Sequence, residues 1–234
     1  PGQGKTAKAL QEAIQQGLNG YPCAFFSLEM KRELLLKRAL SNIASIDTMK
    51  TNNGRLSKED WQQINQASAQ LEQCKLFIDD QAQLNYLTLK SKLRKLIQSE
   101  GIQVAYIDYL QLMQPLKSHG TREGEISEIS RGLKACATEL DIPIIALSQL
   151  NREVDKRDKP KPKLSDLRES GSLEQDASVV QFLYWPKSYG RHDEAEPNLS
   201  QVLIAKNRHG PIQACEVLFE ERFGQFLDYA GDNN

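Results

Sequence analysis

The sequence lacks several features that would assign the chain to a specialised class. No apolar run reaches the 18 or so residues of a membrane-spanning helix, and no signal peptide is visible, which predicts a cytoplasmic protein. The chain starts inside a motif, so a targeting segment upstream is left open. There are only three histidines, and the four cysteines lie far apart in apolar stretches: Cys23, Cys74, Cys136 and Cys215. Because none has metal-ligand spacing, we expect free, buried thiols in a reducing compartment.

A strong net charge is also missing. The 30 basic and 31 acidic side chains give a formal net charge of −1 at pH 7. No global positive field therefore indicates a nucleic-acid partner, and any such site must be local. The length of 234 residues predicts one large domain, or two small ones, and 39% hydrophobic residues are typical of a soluble globular protein.

Strand-like and helix-like stretches alternate along most of the chain, which predicts an α/β fold with a mostly parallel, twisted sheet flanked by helices. Residues 21–28, 104–110 and 142–147 are apolar runs typical of buried strands, and residues 75–78 form a shorter one. Helices are predicted at 86–99 and 125–140, with a loop at 114–124 between them. Residues 179–184, 201–205 and 215–220 indicate three further strands, which we expect as an antiparallel extension at the sheet edge.

Residues 1–6 (PGQGKT) resemble the second half of a phosphate-binding loop, G-x-x-x-x-G-K-[ST]. Gly2 and Gly4 would let the backbone bend around an anion, Lys5 would place a charge on the β- and γ-phosphates, and the Thr6 hydroxyl would bind Mg²⁺. The opening glycine of the motif and the strand that should precede it are not in the sequence. A glycine-rich helix start without a ligand is the alternative.

Polar side chains follow the predicted strands, at the edge where open parallel sheets place their sites. Asp108 has the form of a Walker B aspartate that holds Mg²⁺ through water, and Glu29 could accept a proton from an attacking water. Gln149 could sense the γ-phosphate through its amide. Lys206 and Arg208 follow a late strand and could supply transition-state charge from a neighbouring subunit. Each alone is more simply explained as a turn, cap or surface residue, whereas their combination beside a phosphate loop favours nucleotide hydrolysis.

Five motifs carry a resemblance to a known family, in order along nearly the whole chain. They are FFSLEM from residue 25, YIDYLQLM from 106, EISEISRGLKACATELDIPIIALSQLNREV from 125, LSDLRESGSLEQDASVVQFLY from 164 and IAKNRHGP from 204. The chain resembles the RecA-like motor domain, a P-loop NTPase core, of the hexameric DnaB-type replicative DNA helicases. The resemblance implies a homo-hexameric ring that hydrolyses ATP with Mg²⁺ at subunit interfaces and moves 5′ to 3′ along single-stranded DNA, with a primase and a helicase loader as further partners.

The same resemblance implies roles for individual residues. Lys5 and Thr6 would bind the phosphates and Mg²⁺, Glu29 would be the catalytic base, and Asp108 the Walker B residue. Gln149 would couple the nucleotide state to the DNA loops, and the basic pair after the late strand would act in trans: Lys206 and Arg208.

DNA contacts are expected in two segments. Arg168, Glu169 and Gly171 resemble a loop that contacts the DNA backbone, where arginine pairs with phosphate and glycine admits a close approach of backbone N–H groups. The basic loop 152–163 would face the same DNA strand, in the central channel of the ring, with Arg152, Lys156 and Arg157. The lysine-rich face of the helix predicted at 86–99 could also touch nucleic acid, but a solvated surface is the favoured interpretation.

The chain departs from the family pattern in several places. The family's N-terminal helical domain and linker helix are not in this sequence, so residues 1–234 are interpreted as one N-terminally truncated motor domain. Lys31 stands where the family commonly has a small polar residue, and Trp185-Pro186 is unusual after a strand; no physical reason for either is apparent from the sequence. Two alternatives stay open: a RecA-type or clock-type P-loop ATPase, and a fragment that binds DNA without hydrolysing ATP.

Overall fold

The computed structural model describes residues 2–151, 154, 157, 160–190 and 196–229, without the side chains of residues 168–170. The α-helices of these residues are α1 (Lys5–Leu18), α2 (Arg32–Ala44), α3 (Thr48–Asn53), α4 (Lys58–Gln73), α5 (Tyr86–Glu100), α6 (Arg122–Leu140) and α7 (Gly171–Asp176). The strands are β1 (Cys23–Ser27), β2 (Leu76–Asp79), β3 (Val104–Asp108), β4 (Ile144–Ala146), β5 (Val179–Tyr184), β6 (Leu199–Asn207), β7 (Gln213–Glu220) and β8 (Gln225–Asp228). Short 3-10 helices lie at Leu110–Leu112, Leu164–Ser170 and Pro186–Tyr189.

Strands β1 to β4 form a parallel sheet in the order β2-β1-β3-β4. Successive side chains of a strand point to opposite faces, so the apolar runs of β1 and β3 fill two cores. Phe26 and Ile107 belong to the core under α5 and α6, whereas Phe25 and Tyr106 belong to the one under α1 and α2. The rings of Phe25 and Tyr106 stack at 5.9 Å. The predicted central strand with both faces covered is thus confirmed.

Strands β5 to β8 form a second, antiparallel sheet in sequence order. The predicted extension is antiparallel as expected, but in the described residues its strands bond to one another rather than to the edge of the parallel sheet. The prediction also missed β8, which has only four residues and is half exposed. Short, half-exposed strands carry little hydrophobic signal in a sequence.

The turn after β7 attaches the antiparallel sheet to the helices α1 and α2. The Gln11 side chain donates to the Phe226 carbonyl at 2.7 Å and accepts from the Phe226 N–H at 2.7 Å. Asn42 donates to the Gly224 carbonyl at 2.7 Å, and Gln225 donates to the Asn42 carbonyl at 2.5 Å. The sheet is therefore held against the helix that begins at Lys5.

Side-chain caps mark where the helices α4 and α6 start. Ser57 accepts a hydrogen bond from the Asp60 N–H while the Asp60 carboxylate accepts one from the Ser57 N–H, so the expected cap of α4 is present. Helix α6 begins at Arg122, three residues earlier than predicted, because the Thr121 hydroxyl accepts from the Gly124 N–H at 3.2 Å. Of the helices that the structure describes, none is long and apolar enough to cross a membrane.

Candidate functional site

The loop before α1 has the backbone that its glycines were expected to provide. Gly2 and Gly4 have φ values of 77° and 76°, a left-handed conformation that side chains disfavour. A Cβ atom on Gly4 would also lie 2.8 Å from the ring of Phe219. Helix α1 follows at once, with the Lys8 N–H bonded to the Gly4 carbonyl at 2.9 Å. The conformation and the lack of space both require glycine at position 4.

Thr6 and Asp108, 102 positions apart in sequence, meet at the end of β3. The Thr6 hydroxyl donates to a carboxylate oxygen of Asp108 at 2.8 Å, and Asp108 is only 2% exposed. Hydroxyl and carboxylate oxygens are ligands that suit Mg²⁺. The structure thus brings together the two residues to which the sequence assigned the magnesium ion.

Lys5 lies beside this pair. Burial lowers the pKa of the Lys5 ammonium group, and the charges of Asp108 and Glu29 partly oppose that shift. Burial raises the pKa of the Asp108 carboxyl, a shift that the Thr6 hydrogen bond opposes and the Glu29 charge increases. Each group is poorly solvated as an ion, so an anion near Lys5 or a cation near Asp108 would favour its charged form.

Glu29 lies in the turn after β1, and hydrogen bonds on both sides fix its backbone. The Leu28 N–H donates to the Asp108 carbonyl at 2.7 Å, which continues the pairing of β1 with β3. The Ser27 hydroxyl donates to the Met30 carbonyl at 2.7 Å and accepts from the Met30 N–H at 3.2 Å. Glu29 is exposed between these anchors, where its carboxylate could reach a water in the site.

Gln149 follows β4 and is held by a residue that the sequence analysis did not assign. The side-chain amide of Gln111 donates to the Gln149 carbonyl at 3.0 Å and accepts from the Gln149 N–H at 3.2 Å. It also donates to the Ser148 hydroxyl at 2.9 Å. Since Gln111 lies three residues after Asp108, it ties the ends of β3 and β4 together. Nothing in the residue type of Gln111 distinguishes it in the sequence from other glutamines.

Lys206 and Arg208 contact a different part of the chain. The Lys206 ammonium donates to the carbonyls of Glu174 and Gln175, and Arg208 donates to the Gln175 carbonyl at 3.5 Å. The backbone N–H of Arg208 donates to the Ser178 carbonyl at 2.9 Å. The recorded bonds of both cations thus lie at the C-terminal end of α7 and not at Thr6 and Asp108.

Only part of the expected DNA-binding set can be placed. Arg152 and Lys156 lie outside the described residues, as do the side chains of Arg168 and Glu169. Gly171 is exposed at the start of α7, with no atom within 4 Å of a Cβ built on it. Arg157 forms a two-bond ion pair with Asp166, whose side chain is completely buried. In this structure Arg157 is bonded to Asp166, and its contact with DNA stays a prediction.

The basic face of α5 is largely paired within the protein. Lys90 and Arg94 both form ion pairs with Glu139, and Lys92 pairs with Asp79. These contacts agree with the favoured interpretation of this helix as a solvated surface.

The phosphate-binding loop contacts the antiparallel sheet and the turn after β5. This contact was not predicted from the sequence. The Gln3 side chain accepts from the Trp185 N–H at 2.6 Å and donates to the Ser188 hydroxyl. The Trp185 ring meets Phe219 edge-on at 4.9 Å, and Phe219 stacks on Phe226 at 4.4 Å. The unusual Trp185-Pro186 pair was the available signal in the sequence.

Curated relatives resemble the sequence over nearly the whole chain. It is 40% identical to the replicative DNA helicase DnaB of Geobacillus stearothermophilus, covering 97% of this chain and 50% of that protein. It is equally 40% identical to the replicative DNA helicase DnaC of Bacillus subtilis, covering 97% and 50%. A probable replicative DNA helicase of Trieres chinensis is 42% identical, covering 98% and 51%. The chain therefore spans about half the length of these relatives.

Solved structures share the fold. One of them, an ATPase domain, superposes with a TM-score of 0.93 at 38% identity, covering 98% of this chain and 82% of that one. A second structure, of a DnaB-like replicative helicase and its interactions with primase, superposes with a TM-score of 0.93 at 38% identity. The match covers 98% of this chain and 55% of that one. The predicted RecA-like α/β fold class is confirmed by these matches. The family model of the DnaB-like helicase C-terminal domain matches residues 1–228. The chain belongs to the DnaB-like helicase C-terminal domain family.

Proposed function

We propose that this chain is the ATP-hydrolysing motor of a replicative DNA helicase, with residues 1–234 acting as one domain. One observation carries the proposal: the 2.8 Å hydrogen bond by which Thr6 of the phosphate-binding loop meets Asp108 at the end of β3. A loop of this kind joined to an acidic strand end is what nucleoside triphosphate hydrolysis requires. Membership of the helicase family supports the choice of DNA as the second ligand.

The loop would hold ATP by its phosphates. The backbone N–H groups around Gly2 and Gly4 would surround the phosphate oxygens, and Lys5 would neutralise charge on the β- and γ-phosphates. The partial burial of Lys5 strengthens this attraction, since a charge acts more strongly where water is scarce.

Mg²⁺ fits the oxygen donors of Thr6 and Asp108. Thr6 would bind the ion directly, and Asp108 would hold it through water. Among the described residues no three histidine, cysteine or acidic side chains converge on one point, so phosphates and waters would complete the octahedral shell that Mg²⁺ prefers. When bound, Mg²⁺ supplies positive charge against the β- and γ-phosphate oxygens.

Glu29, Gln149 and the two late cations would complete the reaction. Glu29 would accept a proton from water as the water oxygen bonds to the γ-phosphorus and the bond to the bridging oxygen breaks, giving ADP and phosphate. Gln149 would sense the γ-phosphate and pass its state to the DNA loops. Lys206 and Arg208, which lie at α7 in their own subunit, would act on the nucleotide of a neighbouring subunit.

Single-stranded DNA would lie along the loops after β4. Arg168, Glu169 and Gly171 would contact its backbone, together with the basic residues of the preceding loop, Arg152, Lys156 and Arg157. ATP turnover in a homo-hexamer would drive movement 5′ to 3′ and unwind duplex DNA during replication in the cytoplasm. A primase and a loader are the further partners, and one structural relative was solved for its interactions with primase.

Two alternatives make different predictions. A RecA-type or clock-type ATPase would share Lys5, Thr6 and Glu29, but the matched relatives are named as helicases. A fragment that binds DNA without hydrolysing ATP would show no turnover at all.

ATP hydrolysis with and without single-stranded DNA tests the proposal. We expect turnover that DNA stimulates, and a loss of about 10²–10³-fold in Lys5→Ala, the size of effect typical of removing one transition-state donor. Lys37→Ala, which removes an exposed lysine of α2, is the matched control and should behave like the unmutated chain. Turnover no greater than that of Lys5→Ala would refute the motor assignment.

A further inference from the structure

A short turn directly after β5 is hydrogen-bonded to the phosphate-binding loop. The turn comprises Trp185 and the 3-10 helix Pro186–Tyr189, directly after β5. The Gln3 side chain accepts a hydrogen bond from the backbone N–H of Trp185 at 2.6 Å and donates one to the Ser188 hydroxyl. The Ser188 hydroxyl in turn donates to the backbone carbonyl of Trp185 at 2.8 Å. Gln3 and Trp185 are only 8% and 3% exposed. These bonds join residues about 180 positions apart into one closed network.

Because of where Gln3 lies, these hydrogen bonds act on the phosphate-binding loop itself. Gln3 stands between Gly2 and Gly4, the residues with the greatest conformational freedom in the loop. Both polar ends of its buried amide are bonded to the turn, so releasing Gln3 would leave a buried donor and acceptor without partners. The side chain of Gln3 therefore restrains a loop that its two glycines would otherwise leave mobile.

A second contact acts on Gly4. Phe219 occupies the space in front of the Gly4 α-carbon, and the Trp185 ring packs edge-on against Phe219 at 4.9 Å and 85°. Edge-on pairs of this kind have a preferred geometry, so a movement of one ring is transmitted to the other. Trp185 is thus linked to the loop through its backbone at Gln3 and through its ring at Gly4.

The other end of β5 lies near the residues predicted to bind DNA and to act in trans. Strand β5 starts three residues after α7 ends, and Val180 pairs with Lys206 of β6. Lys206 and Arg208 are bonded to the last carbonyls of α7. A single strand of six residues therefore runs from α7 to the turn that holds the phosphate-binding loop.

We propose that the turn of Trp185 and Pro186–Tyr189 is a positioning element of the phosphate-binding loop. Through this turn, the loop and the antiparallel sheet respond together to nucleotide. This proposal rests on nucleotide binding at Lys5 and Thr6, as set out above. The turn does not touch the reacting atoms; it acts by holding Gln3 and Phe219. Nucleotide binding should therefore change the surroundings of the Trp185 ring, and loosening the turn should weaken nucleotide binding.

The chain's two tryptophans allow a direct test of the first expectation. Trp61 is 53% exposed on α4, so Trp61→Phe leaves Trp185 as the sole tryptophan without disturbing a buried contact. Titration of this variant with ADP and Mg²⁺ should change Trp185 emission in a saturable way, with the dissociation constant that a fluorescent ADP analogue gives by polarisation. The change should be lost in Trp61→Phe combined with Lys5→Ala. Binding of the analogue without any change of Trp185 emission would overturn this proposal and leave nucleotide binding intact, whereas no binding of the analogue would overturn both.

A matched pair of variants at Ser188 tests the second expectation. Ser188→Ala removes the acceptor of the Gln3 amide, whereas Ser188→Thr keeps the hydroxyl at an exposed position. We expect nucleotide affinity to fall about threefold to tenfold in Ser188→Ala, the equivalent of one hydrogen bond, and to stay near normal in Ser188→Thr. A lower Tm in Ser188→Ala with unchanged nucleotide affinity would show a purely structural contact and overturn the proposal.

Discussion

The two sheets of this molecule place their candidate functional residues in opposite ways. In the parallel sheet, Asp108 ends β3, whereas Glu29 and Gln149 lie just after β1 and β4, and the register of these strands puts all three at one edge. In the antiparallel sheet, Lys206 and Trp185 reach away from it, to α7 and to the phosphate-binding loop. A site at parallel strand ends needs only local sequence, whereas contacts of the second sheet depend on how it docks on the first.

The second sheet docks on α1 and on the phosphate-binding loop that precedes it. It is attached to α1 through Gln11 and Phe226 and to the loop before α1 through Gln3 and Trp185. Both sets of bonds reach the part of the chain that would hold the phosphates, namely the glycine-rich loop and the helix α1 that follows it. Changes in the antiparallel sheet should therefore affect nucleotide chemistry from a distance, while changes in the parallel sheet should affect it directly.

The largest effect is expected at Arg208. If Arg208 acts on a neighbouring subunit, Arg208→Ala should lower DNA-stimulated ATP turnover by about 10³-fold, the low end for a trans-acting arginine. Arg222→Ala is the control, because Arg222 lies in the same sheet region but pairs with Asp47 on the surface. Steady-state ATPase rates of the two variants make the measurement.

Mixing variants separates a trans role from a local one. Glu29→Gln subunits keep Arg208, and Arg208→Ala subunits keep Glu29, so mixed assemblies contain some complete sites. We expect activity to reappear on mixing in intermediate ratios. Failure at every ratio would contradict the trans role of Arg208 and would remove the difference between the two sheets.

The next effect concerns Gln111, which joins the ends of β3 and β4. Gln111→Leu should lower kcat by about tenfold to a hundredfold, because two bonds that orient Gln149 are lost, each of about 0.5–1.5 kcal/mol. KM for ATP should change little, since the phosphate-binding loop is untouched. Gln114→Leu, on the same segment but exposed, should behave normally. Equal losses in both variants would contradict a specific role of Gln111.

A smaller effect, on stability, is expected at Asp166. Burial raises the pKa of this carboxyl, but the Arg157 hydrogen bonds and the Lys163 N–H outweigh burial, so the pKa is lowered overall. Asp166→Asn should reduce the free energy of unfolding at pH 7 by about 1–2 kcal/mol. This is the usual contribution of a hydrogen bond to a charged group, lowered because solvent screens the partly exposed Arg157.

The pH dependence follows from the direction of this shift. A carboxyl with a lowered folded-state pKa stabilises the fold above the unfolded value of about 3.9, and this contribution is lost as the pH falls through the folded pKa. The urea midpoints of Asp166→Asn and the unmutated chain should therefore differ by a constant amount from pH 7 to about pH 5, and converge between about pH 5 and about pH 2. Glu72→Gln, at an exposed carboxylate of α4, is the control. A gap that stays constant down to about pH 2 would contradict the ionic role of Asp166.

The smallest effect is expected at Gly171, where stability and DNA binding should change in opposite directions. Gly171 has a helical φ of −51° and open space at its Cβ position, so Gly171→Ala should fold and gain about 0.5–1 kcal/mol of helix stability. If its backbone approaches a DNA phosphate, affinity for single-stranded DNA should fall about threefold. Fluorescence polarisation with a labelled oligonucleotide measures this, and unchanged affinity would place DNA elsewhere.

Prediction from sequence succeeded where the signal was local. Apolar runs identified β1 and β3, and the Ser57 cap marked the start of α4. It was less accurate at α6, which Thr121 starts early, and it missed β8, because single caps and short exposed strands produce weak patterns. The DNA-binding roles of Arg152 and Lys156 stay predictions.

By itself, the sequence determined the parallel sheet, the glycine-rich start of α1 and the polar residues at three strand ends. Periodicity and residue type act within a few positions along the chain, so they can be interpreted without coordinates. Only the tertiary structure decided that Gln111 holds Gln149, that Lys206 and Arg208 rest on α7, and that Trp185 grips Gln3. Those contacts join residues tens to nearly two hundred positions apart, and hydrogen bonds at such separations depend on how whole elements dock, which no local pattern records.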